Sequence, residues 1–271
     1  MCTCHAHRRR KVVAAGTAPF TRRRFVQALM VSTSLPAIAA CDPGGVGEMF
    51  ITGDQVEQMG VETWQRILAE EPRSDNESYQ RRAREMAARM LTAVDEDPDD
   101  WEVEVFAGDQ VNAFALPGNK IGIYEGMFEL AGDDEEVAAV IGHEIGHNQA
   151  EHARQRVARE IGTQAGIQLV SAALQVGNIG YANEVAGLLG AGAQFGVILP
   201  FSREQELEAD EIGVELMARG GYDPRAAVRL WERMAEQPRP PELLSTHPDP
   251  AGRIDAIEAM LDDVMPLYRA S

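Results

Sequence analysis

Apolar side chains recur at a helical spacing along much of the chain beyond residue 50. In residues 54–70 and 78–94 they return every three to four positions, which predicts two amphipathic helices. After residue 100 the period shortens to two and apolar residues alternate with polar ones, as in half-buried strands. Three short strands are predicted, at 101–105, 111–116 and 120–124.

The helical spacing resumes in the second half of the chain. Acidic residues follow Gly132 and would cap a long helix, which we expect to run to about Glu160. Ser202 and Gln205 form a capping box for another helix that would end at Gly220. Two more helices are predicted, at 223–236 and 249–263. The pattern therefore predicts a mainly α fold with a small β-sheet, of the α+β class.

The stretch between these helices carries almost no charge. No charged residue occurs from 161 to 183, and Glu184 alone interrupts the stretch before Arg203. Glycine, glutamine and asparagine dilute its apolar residues, which favours amphipathic helices over a transmembrane span. We interpret residues 161–202 as a lid that could touch a membrane, with a membrane hairpin as the alternative.

The first forty residues resemble an export signal. Arg22, Arg23 and Arg24 directly precede an apolar stretch, 28–40, that is too short for an ordinary transmembrane helix. The arginine group resembles a twin-arginine signal, which directs the export of folded proteins. The stretch ends at Cys41 after small residues, as in the lipobox of bacterial lipoproteins.

This interpretation divides the chain into three parts. They are the signal at 1–40, a flexible linker at 41–53 and a single domain at 54–265. Lipidation of Cys41 would anchor the protein at the periplasmic face of a bacterial membrane, inner or outer. The alternative is a plain apolar anchor with an incidental cysteine. Cys2 and Cys4 would be removed with the signal, so no intramolecular disulfide is expected.

Charge argues against nucleic acid as a partner. The formal net charge is −18, and removal of the signal, which holds seven basic and no acidic residues, lowers it to −25. Such a surface would repel phosphates. Because hydrophobic residues make up 45% of the chain, we expect a packed core and not global disorder.

One short segment carries a pattern typical of metal-dependent hydrolysis. His143-Glu144-Ile145-Gly146-His147 matches H-E-x-x-H on a predicted helix. His147 lies one turn beyond His143 and about 40° around the helix, so both imidazoles face one point, where they suit zinc. Glu144 is offset and can reach a metal-bound water as general base without being a ligand. Solvated side chains are the alternative, but the apolar surroundings make unpaired His and Glu costly to bury.

A catalytic zinc needs a third protein ligand and one open position. His152 lies about 140° around the helix from His147 and cannot join the site unless the helix breaks. Glu206 and Asp210 share one helix face, so Glu206 can bind the metal while Asp210 accepts a hydrogen bond from a ligand imidazole. Spacing alone does not separate Glu206 from neighbouring acids that are expected to be solvated, namely Glu204, Glu208, Glu211 and Glu215.

Three segments together resemble the HtpX-like and CAAX-prenyl-protease-like zinc metallopeptidases, which are gluzincins. They are 112–118, 143–147 and 202–210. The resemblance covers nearly all of residues 54–262 and is strongest to bacterial lipoprotein members of the LoiP and BepA kind. It implies a zincin-type fold with H-E-x-x-H on a central helix, one Zn²⁺ per chain, Glu206 as third ligand and Asp210 behind it. The chain ends soon after the last predicted helix, so the tetratricopeptide-repeat domain of some relatives is not expected.

The predicted loop at 238–250 contains a further candidate. His247 lies in a Thr-His-Pro motif that the resembled family shares. It could stabilise the oxyanion, or occupy the open zinc position as a self-inhibiting fourth ligand. An ordinary histidine on a surface loop is the remaining alternative. Arg253 could contact the reaction intermediate, or form an ion pair with Asp255 or Asp249.

Three functions are compatible with these residues. The first is a membrane-tethered zinc endopeptidase for misfolded or mislocalised envelope proteins, which the family resemblance implies. The second is a zinc-fold chaperone or binding protein with latent protease activity, against which the intact Glu144 argues. The third is another zinc hydrolase, such as a cell-wall amidase. A polypeptide substrate is favoured because Asn112, Ala113 and Phe114 could pair with an extended chain at a sheet edge, unless they belong to an ordinary hairpin.

Overall fold

The computed structural model of the protein describes residues 51–160, 163 and 200–270, which all belong to one unit, Asp42–Ser271. The predicted export signal, the lipobox at Cys41 and almost all of the predicted lid at 161–202 lie outside the described residues. Within the described ranges, none of the helices combines the length and the apolar character that a membrane span needs.

Helices make up most of the described chain. They are α1 (Gly53–Glu70), α2 (Glu77–Thr92), α3 (Glu125–Leu130), α4 (Asp134–Gln149), α5 (Arg203–Arg219), α6 (Arg225–Ala235), α7 (Leu243–Thr246) and α8 (Pro250–Tyr268), and residues 152–160 are also helical. One sheet contains β1 (Glu102–Phe106), β2 (Ala113–Leu116) and β3 (Lys120–Tyr124). Its order is β1-β3-β2, with β1 parallel and β2 antiparallel to β3. The predicted mainly α fold with a small sheet is confirmed.

Local capping signals place the ends of the two helices that matter most for the site. Asp133 caps α4 by accepting a hydrogen bond from the backbone N–H of Glu136 at 2.9 Å. At the start of α5, the Gln205 N–H donates to Ser202 Oγ at 3.3 Å and the Ser202 N–H donates to Gln205 Oε1 at 3.1 Å. These short-range bonds satisfy N–H groups that a helix leaves free, which is why the sequence signals were reliable.

Two helix ends differ from the prediction. Helix α4 ends at Gln149 and does not continue to Glu160, because Glu151 adopts a left-handed conformation with φ of 52° and a new helical segment starts after it. Helix α8 continues past residue 263 to Tyr268, since Val264 still packs in the core. The short helices α3 and α7 were not predicted, because each has too few residues for a recognisable period.

Helix α4 lies at the centre of the domain and is buried continuously from Glu136 to His147. It packs against α5 through glycines. A Cβ atom on Gly146 would lie 2.7 Å from the carbonyl oxygen of Ala209, and one on Gly213 would lie 2.9 Å from the backbone nitrogen of His143. Only residues without a Cβ permit such close contact of the two backbones. The contact brings the carboxylates of α5 to the imidazoles of α4.

Candidate metal centre

Four buried side chains meet at one point, and one ligand atom from each lies within 4.8 Å of the others. Helix α4 contributes His143 and His147, α5 contributes Glu206, and His247 directly follows α7. The Nε2 atoms of the two α4 histidines are 3.0 Å apart. Nδ1 of His247 lies 3.2 Å from His143 Nε2 and 3.0 Å from Glu206 Oε1. The two Glu206 oxygens lie 3.6 and 3.5 Å from Nε2 of His143 and His147.

The chemistry of this donor set fits one zinc ion. Imidazole nitrogens and carboxylate oxygens bind zinc at about 2.0–2.2 Å in tetrahedral arrangement, so neighbouring ligand atoms are then roughly 3.3 Å apart. The observed separations of 3.0 to 3.6 Å bracket that value. Ring nitrogens and carboxylate oxygens aimed at one point cannot all satisfy one another by hydrogen bonding, whereas a cation satisfies them together.

Burial sets the protonation of these groups for metal binding. It lowers the pKa of His143 well below the ordinary value, with the Arg253 charge acting in the same direction, and lowers the pKa of His147 to about 3. Burial by itself would raise the pKa of Glu206, but hydrogen bonds with His147 and His247 hold the pKa below its usual range. Near neutral pH these groups are therefore neutral imidazoles and an ionised carboxylate, the forms that zinc binds.

Asp210 lies one turn beyond Glu206 and contacts the rear of His143. Its Oδ1 atom is 3.0 Å from His143 Nδ1, on the side of the ring that faces away from the donor cluster. Nη2 of Arg253, which can only donate, lies at the same distance of 3.0 Å from Nδ1. When Nδ1–H donates to Asp210, Nε2 is left free to bind a metal, as in sites where a carboxylate supports a ligand imidazole. Burial raises the pKa of Asp210, and the Arg253 charge opposes that change.

Arg253 is placed differently from the sequence-based expectation. It pairs with neither Asp249 nor Asp255 but is almost fully buried, at 1% exposure, beside the two acids of α5. Its Nη1 donates to Glu206 Oε2 at 2.5 Å, its Nε donates to Asp210 Oδ2 at 2.6 Å, and its Nη2 donates to Asp210 Oδ1. Sequence reasoning missed this role, because neighbouring acids along the chain offered equally good partners.

Glu144 belongs to the H-E-x-x-H segment but does not belong to the group of four metal donors. It is 1% exposed, and neither carboxylate oxygen has a hydrogen-bond partner in the described part of the chain. The Nε2 atom of His247 lies 3.6 Å from its Oε1. Burial raises the pKa of Glu144 to about 7. A buried carboxylate without a partner is costly to stability, and such groups concentrate at functional sites.

His247 is not a surface-loop histidine, since only 2% of it is exposed. Its segment is held from two sides. The His247 N–H donates to the Leu243 carbonyl at 2.9 Å, and the Phe201 N–H donates to the Thr246 carbonyl at 3.1 Å. The Phe201 ring in turn stacks on His147 with 4.0 Å between ring centroids. The two alternatives that place His247 in the site both remain compatible with this position.

His152 lies outside the four-residue cluster even though the helix does break before it. Its Nδ1 is 2.9 Å from Nδ1 of His147, and its Nε2 is 3.2 Å from Oε2 of Glu208. Glu208 was expected to be an ordinary solvated acid. The signal that sequence reasoning lacked was the left-handed turn at Glu151, which points the His152 ring back towards α4.

The segment expected to bind substrate lies at a free edge of the sheet. Strand β2 pairs on one side with β3, and the described residues place no strand on its other side. Ala113 and Phe114 belong to β2, and Asn112 directly precedes it and accepts a hydrogen bond from the Tyr124 N–H at 3.0 Å. A groove with a volume of about 550 Å³ lies between α1, the β2–β3 turn and the end of α4, with His147 in its wall.

Comparison with known proteins gives a consistent result. Residues 74–261 match Peptidase family M48. The chain is 35% identical to mitochondrial metalloendopeptidase OMA1 of Schizosaccharomyces pombe over 167 residues, or 60% of the chain and 47% of that protein. It is 33% identical to the beta-barrel assembly-enhancing protease of Yersinia pestis over 177 residues, or 60% of the chain and 35% of that protein. The protein of the same name from Escherichia coli K12 is 32% identical over 160 residues, or 54% and 31%. The chain spans less than half the length of each of these relatives.

Proposed function

The chain belongs to peptidase family M48, whose members are zinc metallopeptidases, and from this premise we propose that it is a zinc metalloendopeptidase. His143, His147 and Glu206 are the proposed metal ligands and Glu144 the catalytic base. The observation that carries this assignment is the buried, unpartnered carboxylate of Glu144 directly beside the donor cluster. A site for binding or folding alone has no use for such a group.

The proposed chemistry divides between the metal and the chain. Zinc, when bound, polarises the scissile carbonyl and lowers the pKa of a water molecule. Glu144 takes the proton of the attacking water and later gives it to the leaving amine. Asp210 holds the imidazole of His143 in the binding tautomer, and Arg253 holds the two acids in place.

The proposed substrate is an extended polypeptide. Residues Asn112, Ala113 and Phe114 would pair with it along the free edge of β2, and the groove beside His147 offers room for its flanking residues. This placement favours peptide-bond cleavage over attack on a cell-wall amide.

We also propose a location and a substrate class. The sequence from Arg22 to Cys41 supports export and lipid anchoring, with 54–265 as a single catalytic domain on the periplasmic side of a membrane. Two of the relatives compared above carry the name beta-barrel assembly-enhancing protease, which supports envelope proteins as substrates. Misfolded or mislocalised polypeptides are the proposed targets, because an extended chain is what a sheet edge binds.

A second candidate is favoured by one observation, the inclusion of His247 in the donor cluster. Four protein donors close a zinc site, whereas catalysis requires an open position. The described arrangement then corresponds to a latent enzyme or a zinc-fold binding protein, and the segment that carries His247 has to move before cleavage. This candidate shares the ligands of the first and differs in resting activity.

The deciding experiment compares the purified protein with Glu144→Gln on an unfolded substrate such as casein, with zinc content measured for both. We expect one zinc per chain in each and cleavage by the unsubstituted protein alone. Glu211→Gln, which changes an exposed acid on α5, is the matched control and should cleave normally. Equal cleavage by Glu144→Gln would refute the proposed mechanism. No cleavage by either protein, with zinc bound, would support the latent candidate.

A further inference from the structure

The rear of His147 is contacted by a second histidine and not by a carboxylate. Helix α4 ends at Gln149, and the left-handed turn at Glu151 starts the next helical segment at His152. The His152 ring is completely buried, with Nδ1 2.9 Å from Nδ1 of His147. In the part of the chain that is described, this is the only hydrogen-bond partner of His147 Nδ1.

The other end of the buried His152 ring contacts an acid that lies at the protein surface. Its Nε2 lies 3.2 Å from Oε2 of Glu208, whose side chain is 58% exposed. The contacts thus run in a row from the donor cluster through His147 and His152 to an acid in contact with solvent. Glu208 lies two residues after Glu206 on α5, so one helix carries both a proposed ligand and the end of this row.

The donor and acceptor roles in this row follow from one condition. A neutral imidazole has one N–H donor and one acceptor nitrogen. If His147 presents Nε2 to the metal, its Nδ1 carries the proton, and Nδ1 of His152 has to accept. Nε2 of His152 then carries its proton and donates to Glu208. Each step leaves one tautomer, and the carboxylate at the end can only accept when ionised.

We propose that His152 and Glu208 are positioning residues that fix the tautomer and ring orientation of the metal ligand His147. The inference rests on the proposed role of His147 as a ligand. Helix α5 would then support both imidazoles of α4 from behind, with Asp210 acting directly on His143 and Glu208 acting on His147 through His152. Carboxylate support of ligand histidines raises their basicity and their metal affinity.

A purely structural role for His152 would tolerate substitutions that the proposed positioning role does not. A buried ring that only fills space could be replaced by an apolar side chain of similar size. The proposed relay, the row of contacts from His147 through His152 to Glu208, instead requires an acceptor opposite Nδ1 of His147, because a buried N–H without a partner is costly. It also requires a particular proton position on His152, which packing does not.

The test measures the zinc dissociation constant of the full chain by chelator competition. Loss of a supporting partner typically weakens metal binding about 10- to 100-fold, and we expect His152→Leu to fall in that range. His152→Gln restores an acceptor oxygen and should bind more tightly than His152→Leu. Glu208→Gln can still accept from His152 but has no charge, so a smaller loss is expected. The matched control, Glu211→Gln, should bind zinc as the parent does.

Nitrogen NMR of the zinc-loaded parent supplies a readout that packing would not affect. We expect protons on Nδ1 of His147 and on Nε2 of His152. A proton on Nδ1 of His152, or unchanged zinc affinity in His152→Leu, would overturn the proposal. If His152→Leu does not fold, which thermal unfolding of the metal-free protein will show, Glu208→Gln and the NMR assignment decide.

The result also separates this inference from the proposed function. Zinc binding by the parent and its loss in His147→Ala establish the ligand on which the inference rests. With those two results in place, unaffected His152 and Glu208 variants overturn the relay alone. A parent that binds no zinc, or a His147→Ala variant that binds it equally well, overturns both.

Discussion

Arg253 forms a bidentate ion pair with Asp210, in which Nε donates to Oδ2 at 2.6 Å and Nη2 donates to Oδ1. The same guanidinium donates to Glu206 from Nη1 and lies 3.8 Å from the ring centroid of Trp231. Helix α8 thus supplies the positive charge that lets α5 bury two carboxylates side by side. Arg253 therefore helps to form the metal site in the metal-free protein, because it holds the proposed ligand Glu206 and the neighbouring Asp210 in place.

Removal of this guanidinium should destabilise the metal-free protein strongly. Arg253→Ala leaves two buried carboxylates without their counter-charge, and breaking a buried pair in this way costs about 3–5 kcal/mol. Arg253→Lys keeps the charge but loses the planar fork, so an intermediate loss is expected. Urea denaturation of chelator-treated protein measures the free energy of unfolding.

The matched control is Arg239→Ala, which changes an exposed arginine and should stay within about 0.5 kcal/mol of the parent. A loss below about 1 kcal/mol for Arg253→Ala would show that the two acids do not depend on this arginine.

The glycine contact between α4 and α5 predicts an unusual response to alanine. In a helix interior, alanine normally stabilises by up to about 1 kcal/mol relative to glycine. At Gly146 the new methyl would lie 2.7 Å from the Ala209 carbonyl oxygen, so overpacking should cost about 1–3 kcal/mol instead. The helices would separate, and zinc affinity should fall along with stability.

Gly53→Ala is the matched control, because a Cβ there meets nothing closer than 4.0 Å. It should leave both zinc affinity and stability unchanged or slightly improved. Gly146→Ala would contradict the prediction if it bound zinc normally and unfolded at a higher denaturant concentration than the parent.

Replacement of His247 should release activity from the described arrangement. With four donors around one point, His247→Ala opens a coordination position while three proposed ligands remain. We expect casein cleavage to rise several-fold and zinc affinity to fall. Ser245→Ala, in the exposed part of α7, is the control and should change neither.

The two proposed roles of His247 predict opposite changes in activity for His247→Ala: a rise if His247 is a self-inhibiting ligand, and a fall if it stabilises the oxyanion. A fall in the turnover number with zinc still bound would show that His247 stabilises the reaction and does not block it. Such a result would exclude the latent candidate and retain the first.

Zinc removal should lower thermal stability through linkage. Free zinc at about 100 times its dissociation constant stabilises a protein by about 2.7 kcal/mol. For a domain of 150–250 residues that corresponds to roughly 5–10 °C in melting temperature. Differential scanning fluorimetry with and without chelator measures the shift. His147→Ala, which lacks a proposed ligand, should show almost none; a full shift in that variant would remove His147 from the site.

Local signals in the sequence predicted much of the fold. The capping box at Ser202, the end of α5 near Gly220 and the strand Lys120–Tyr124 all follow from interactions between residues close in the chain. The predicted end of α4 was wrong because Glu151 adopts a left-handed conformation that the helical spacing of apolar residues does not reveal. The predicted ion pair of Arg253 with Asp249 or Asp255 was wrong. Those acids are near Arg253 in the sequence, whereas its actual partners, Glu206 and Asp210, come near it only on folding.

The sequence by itself determined that two imidazoles, His143 and His147, face one point, because a helix places residues four apart on one side. It also determined that Glu144 stands beside them. Only the tertiary structure decided what completes the site, because Glu206, His247 and Arg253 lie far along the chain. Their approach depends on the glycine contact between α4 and α5 and on the burial of His247 directly after α7. It also depends on paired burial, because Arg253 and the two acids of α5 stabilise one another only when they are brought together.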